Sequence, residues 1–172
     1  MLLHLRVNDR KESPMRYDDT LEMVLLAHSV CSDRATALLQ HGQDEADRNG
    51  HYMFSAAHVI LAALADLDTY ADIIVLLSTF HPDLTYQRLL SNINSAMGAF
   101  EKAPAVRLYD PSAIRLHKLI LSERMKHARA LSAFDVVVLA FESGSTAVQN
   151  SMDSSLSSQT YWREPLLELV AA

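Results

Sequence analysis

Cysteine is almost missing from this chain: there is one in 172 residues, Cys31, so no internal disulfide can form. It stands at the start of a helical pattern beside apolar positions, which reads as a small, partly buried residue and not as a nucleophile. Glycine is scarce too, and Gly42, Gly50, Gly98 and Gly144 stand singly. A phosphate-binding loop needs Gly-x-x-x-x-Gly-Lys-Ser/Thr so that backbone N–H groups can wrap the phosphates, and an ATP site by that route is excluded. Ser143-Gly144-Ser145 lacks the first glycine of a Gly-x-Ser-x-Gly nucleophile elbow. No apolar run approaches the roughly twenty residues that span a bilayer, and Met1–Arg16 has no signal-peptide core or cleavage site, so a soluble, cytoplasmic protein is expected. Lys and Arg number 15 against 21 Asp and Glu, a net charge of −6 with no basic cluster. Counterion release has little to act on, which argues against a nucleic-acid partner.

What is present is a hydrophobic half, 49% of the residues, distributed over amphipathic segments and sufficient for one domain with a sizeable core. The most informative stretch is Cys31–Val59. Ser32 supplies an N-cap oxygen and Asp33 a negative charge at the positive end of the helix dipole. Ala35, Leu38, Leu39, Gly42 and Ala46 follow at steps of three and four and predict a buried face, while Gln43, Asp44, Asp47 and Arg48 fall opposite. Asp44 and Arg48, four apart with the acid first, are expected to pair, and Asn49-Gly50 tolerates the positive φ that ends a helix. Ser55 then caps a second helix whose apolar positions include Ala56, Val59, Ile60, Ala63 and Leu64.

Upstream, Asp18-Asp19 opens a segment in which Leu21, Val24, Leu25 and His28 share a helical face. Downstream, Tyr70, Ile73, Ile74 and Leu77 predict a third helix over Asp68–Ser78, and Pro82-Asp83 opens a fourth carrying Tyr86, Leu89, Leu90, Ile93 and Met97. Gly98 to Pro104 reads as a linker, and Asp110-Pro111 is an N-cap followed by proline at the first helical position. Sliding the chain by 77 places Ser55-Ala56 on Ser132-Ala133, Val59 on Val136, Leu39 on Leu116 and Ala63-Leu64 on Ala140-Phe141. An internal repeat follows. Val136–Phe141 has strand propensity, yet the repeat and the Ser132 to Asp135 cap predict a buried helix. A short helix is expected near Thr146–Met152, and the apolar tail around Tyr161, Trp162 and Pro165–Val170 either folds back or docks a partner.

The chain resembles the N-terminal, double-repeat domain of Clp-type AAA+ chaperones. The residues that carry this are Cys31-Ser32-Asp33-Arg34-Ala35, then Glu45-Ala46-Asp47-Arg48-Asn49-Gly50-His51, then Ser55-Ala56-Ala57-His58-Val59-Ile60-Leu61, which follow that family's aromatic-Thr-x-Arg-Ala, Glu-Ala-x-Arg-x-Gly-His and Gly-Thr-Glu-His patterns without a gap. The resemblance implies an all-α fold of two tandem four-helix repeats in a pseudo-twofold arrangement. Repeat one would span 31–97 and repeat two 108–157, preceded by an arm and an extra helix (1–30) and followed by a tail (158–172). The extra helix would pack on the core or mediate dimerisation.

The resemblance further implies a non-catalytic interaction module with no catalytic, cofactor-binding or metal-binding residues. It would serve as adaptor or accessory factor for a Clp ATPase, its peptidase or their client proteins, or, in a second version, another assembly such as a secretion-related one. Phe134, Tyr161 and Trp162 are the candidate partner-binding residues. In relatives that read phosphoarginine, glutamates of the Thr-Glu-His positions hold the guanidinium. Here those positions are Ala57 and Phe134, which can neither accept a hydrogen bond nor carry charge, so that recognition is expected to be lost. A small metal-dependent enzyme using His41, Glu45, His51 and His58 is the alternative from a different class, although there is no His-Glu-x-x-His and no cysteine pair.

Overall fold

The computed structural model describes residues 17–97 and 108–152. The expectations for Met1–Arg16, the linker after Met97, residues 153–157 and the tail lie outside them. The fold is all-α. The helices are α1 (Tyr17–Ser29), α2 (Asp33–Arg48), α3 (Ala56–Ala65), α4 (Ala71–Phe80), α5 (Tyr86–Met97), α6 (Pro111–Lys126), α7 (Ala133–Glu142) and α8 (Thr146–Ser151). Two short strands, β1 (Met53–Phe54) and β2 (Leu108–Tyr109), pair in parallel, with Phe54 opposite Tyr109.

The α2 helix begins and ends where its residues dictate. The Ser32 hydroxyl accepts the Ala35 N–H, and at the other end Gly50 takes φ 69° while the His51 and Gly50 N–H groups return to the Ala46 and Asp47 carbonyls at 2.9 and 3.1 Å. That is a Schellman closure, which uses up carbonyls the last turn would otherwise leave bare. Ala35, Leu38, Leu39, Gly42 and Ala46 are buried as their spacing predicts. Gly42 permits the close approach of α3, because a Cβ there would lie 3.2 Å from Val59 Cα and from the Phe54 ring.

Apart from His58, the α3 helix is apolar on every side, and it is buried from Ala56 through Leu64, so it forms the centre against which α2, α5 and α7 pack. The α7 helix keeps its helical form despite three consecutive valines. Their propensity cost is below about 0.7 kcal/mol each, whereas a fully buried aliphatic side chain contributes about 1.5–3 kcal/mol. Val136 and Val137 are buried, and burial decides.

Three expectations are corrected. The buried face of α1 is Thr20, Val24 and Ala27, and Leu21 and Leu25 are exposed. The helix lies on α6 through its smaller side chains, with the His28 ring stacked on His117 at 6.0 Å, and that contact sets its rotation. The third helix starts at Ala71, since the Asp66 carboxylate accepts the Thr69 N–H at 3.0 Å and holds 66–69 in a turn. The fourth starts at Tyr86, where the Thr85 hydroxyl accepts the Arg88 N–H, and Pro82-Asp83 belongs to the preceding turn.

Two backbone crossings tie the early helices to the late ones. The Ser32 N–H donates to the Leu131 carbonyl at 2.8 Å, and the Asp110 N–H donates to the Phe54 carbonyl at 2.9 Å. In each crossing the residue that caps one helix is held by the carbonyl of the residue just before another cap.

Candidate functional site

The starts of α3, α6 and α8 converge on a buried polar junction. Ser55 and Ser132 are N-caps of matching form: each hydroxyl faces the first turn of its helix while the side chain three residues on reaches back to the cap's own N–H. In α7 that side chain is the Asp135 carboxylate, 2.7 Å from the Ser132 N–H. In α3 it is the His58 ring, whose Nδ1 accepts the Ser55 N–H at 2.9 Å. The Asp110 carboxylate accepts both the Ala113 N–H and the Ser112 hydroxyl, and the Ser112 Oγ lies 3.1 Å from Ser55 Oγ and from the Ala56 N–H. Ser145 completes this set of buried hydroxyls. Single residues gave no signal for Ser112.

The histidines of the metal alternative are engaged in ordinary bonds. With Nδ1 of His58 accepting, its Nε2 carries the proton and donates to His51 Nδ1 at 2.8 Å, and His51 Nε2 in turn donates to Asn94 Oδ1 at 2.7 Å. The result is a buried relay of hydrogen bonds from the start of α3 to α5. His41 instead meets the Tyr70 hydroxyl at 3.1 Å. Glu45 is buried, while its acidic neighbours in sequence, Asp44 and Asp47, are exposed. Its carboxylate accepts from the Tyr86 hydroxyl at 2.9 Å, from Asn49 Nδ2 at 3.2 Å and from Arg48, so Arg48 pairs with Glu45 and not in the expected way with Asp44. Burial raises the Tyr86 phenol above its ordinary value, with the neighbouring carboxylate adding to it. The four proposed ligands are thus divided: His51 and His58 bond to each other, whereas His41 goes to Tyr70 and Glu45 to Tyr86, Asn49 and Arg48. Among the described residues no group of three His, Cys, Asp or Glu side chains is placed to hold a metal ion.

Phe134 is half-buried and packed against the core at the first turn of α7. Its neighbour Asp135 is pulled upward in pKa by burial, but the Arg129 side chain and the Ser132 N–H and hydroxyl outweigh that and leave it below the usual carboxylate range. Cys31 lies across from this turn, and burial together with the Asp135 charge pushes its thiol up to about 11. It remains a thiol at neutral pH and donates to the Ala27 carbonyl at 3.3 Å. Tyr161 and Trp162 lie outside the described residues. Arg34, the arginine of the motif, fixes the start of α4. Its guanidinium donates to both Asp72 oxygens and to the Thr69 carbonyl, and it lies 5.5 Å from the centre of the Tyr70 ring. Sequence alone left it without a partner, because Asp72 is 38 positions away.

Apolar surface is the other chemistry on offer. Tyr17, Leu21 and Leu25 form an exposed stripe on α1, and Val75 and Met125 are exposed on α4 and α6. Among the described residues no helix is long and apolar enough to cross a membrane. No protein-family model matches the chain, and no curated protein matches it.

Proposed function

We propose that the protein is a non-catalytic interaction module built as two tandem helical repeats of the kind found in the N-terminal domain of Clp-type AAA+ chaperones. The observation that carries this is the pair of backbone crossings. Sequence positions 77 or 78 apart relate Phe54 to Leu131 and Ser32 to Asp110. Exchange of the repeats therefore turns the Ser32 to Leu131 bond into the Asp110 to Phe54 bond. Parallel pairing of β1 with β2, and the isolated bridge between Cys31 and Leu131, obey the same exchange. The matching capping boxes at Ser55 and Ser132 add to it. On this reading α2 to α5 belong to repeat one and α6 to α8 to repeat two, with α1 an addition.

The fold analogy leads to a role as adaptor or accessory factor of a Clp ATPase, its peptidase or their clients. Recognition would run through a few apolar or aromatic anchors on helices. Phosphoarginine reading is not part of the proposal: Ala57 is fully buried and Phe134 packs on the core, so neither position offers a group to a guanidinium.

The test is affinity capture with the full-length chain as bait in lysate of its own source cells, with mass spectrometry of what is retained at moderate salt. Enrichment of a Clp ATPase or peptidase over a bait-free control is the expected result. Enrichment of components of a different assembly alone would move the module there, and an empty capture would overturn the interaction reading.

A further inference from the structure

Resting on the two-repeat reading, we infer that the apolar face shared by α4 and α7 is the docking site for the chain's own segment 163–171. In repeat one, α5 packs across α3 and α8, and Leu89 and Ile93 are fully buried there. At the repeat offset of 77, Leu89, Leu90 and Ile93 fall on Leu166, Leu167 and Val170. The bonded pair His51 and Asn94 falls on Ala128 and Ala171, so both members of a contact are exchanged together for small residues. The buried Leu84 falls on Tyr161.

On the receiving side the corresponding positions are less covered, with the His81 ring at the end of α4 stacked on Phe141 of α7. On α3 the residues Ala57, Leu61 and Leu64 are buried. Their images on α7, Phe134, Val138 and Phe141, lie at steps of four and three along one face, and all three are only half-buried. The α4 helix, equivalent to α8, presents Val75 at 64% exposure beside the half-buried Ile74 and packs chiefly on α3. A helix-length segment carrying Leu166, Leu167 and Val170 on one side would cover that face as α5 covers its own.

Hydrogen exchange on the full-length chain, read by mass spectrometry and run at two protein concentrations, tests this. Amides of 166–170 should exchange at least roughly ten-fold more slowly than in the isolated peptide, independently of concentration. Leu166→Asp with Val170→Asp should release them and speed exchange in α7, with α2 unaffected. Emission of Trp162, the chain's one tryptophan, should shift to the red in that variant. Free-peptide rates at 166–170 in the wild type would overturn the docking, and protection that grows with concentration would do so in favour of a second copy. The amides of Ser32 and Asp110 separate the two readings. If they stay protected while 166–170 is free, only the docking fails. If they are unprotected as well, the two-repeat reading fails with it.

Discussion

Glu45 and His117 are polar residues buried in the core of this fold. Glu45 sits between two exposed acids in sequence and is nonetheless buried, because Tyr86, Asn49 and Arg48 close around its carboxylate. Glu45→Ala takes the carboxylate acceptor from the half-buried Tyr86 hydroxyl, while Asn49 Nδ2 keeps the Glu45 backbone carbonyl at 2.8 Å, and it should cost about 1–3 kcal/mol in urea unfolding. A loss under about 0.5 kcal/mol would mean that water substitutes freely. Nothing local in the sequence separates Glu45 from Asp44 or Asp47, since its decisive partner, Tyr86, is 41 positions away. His117 is buried between α1 and α6, with Nδ1 donating to the Ala113 carbonyl at 2.7 Å and Nε2 lacking a partner. Burial lowers its pKa to about 4 against the opposing pull of the Ala113 bond, and the neighbouring His28 lowers it a little further. Between pH 6.5 and 4 the unfolded imidazole is protonated and the folded one is not, so stability falls as the pH falls. The loss is about 1.4 kcal/mol per pH unit and about 3 kcal/mol across the window. His117→Phe should keep stability near wild type at pH 7 and remove about one proton from the pH slope. An unchanged slope would assign the acid sensitivity to His81 or His28, both also lowered by burial.

At the scale of the element, caps and faces were legible and boundaries that depend on distant contacts were not. Ser32, Ser55, Asp110 and Ser132 all cap the helices that follow them, because an N-cap is a local matter of one oxygen and one N–H a turn away. The rotation of α1 and the late start of α4 were missed, since the first follows from stacking of His28 on His117 and the second from the Asp66 turn clamped by Arg34 and Asp72. The crossing of α2 and α3 was half legible: Gly42 fell on the buried face, but its contact with the α3 backbone was not foreseen. Gly42→Ala would gain about 1 kcal/mol in helix propensity. The added methyl meets Val59 Cα, Val59 N and the Phe54 ring at 3.2 Å, and backbone cannot move aside as a side chain can. Overpacking costs typically 1–3 kcal/mol, so a net loss of about 1–2 kcal/mol is expected as a lower urea midpoint with an unchanged m-value. A raised midpoint would show slack in the crossing.

For the whole molecule, the crossings decide whether the chain unfolds in one step or two. The Ser32 and Asp110 amides each belong to a helix cap on one side and take their acceptor from the other side of the molecule. Beside the Asp110 crossing lie the hydroxyls of Ser55, Ser112 and Ser145, all buried and bonded to one another or to caps. Parting the two sides would exchange these hydrogen bonds for bonds to water, at about 0.5–1.5 kcal/mol for each. It would also uncover the Leu131 and Phe54 side chains, which are fully buried. Separate opening is therefore the costlier route, and a cooperative, two-state transition is expected. Native-state hydrogen exchange gives the measurement: the Ser32 and Asp110 amides should share one opening free energy, equal to that of global unfolding by urea. If Asp110 opens at lower free energy than Ser32, the α6 to α8 side melts by itself and the junction does not couple them. Equal values, sensitive alike to Ser112→Ala, would make the buried hydroxyls the tie.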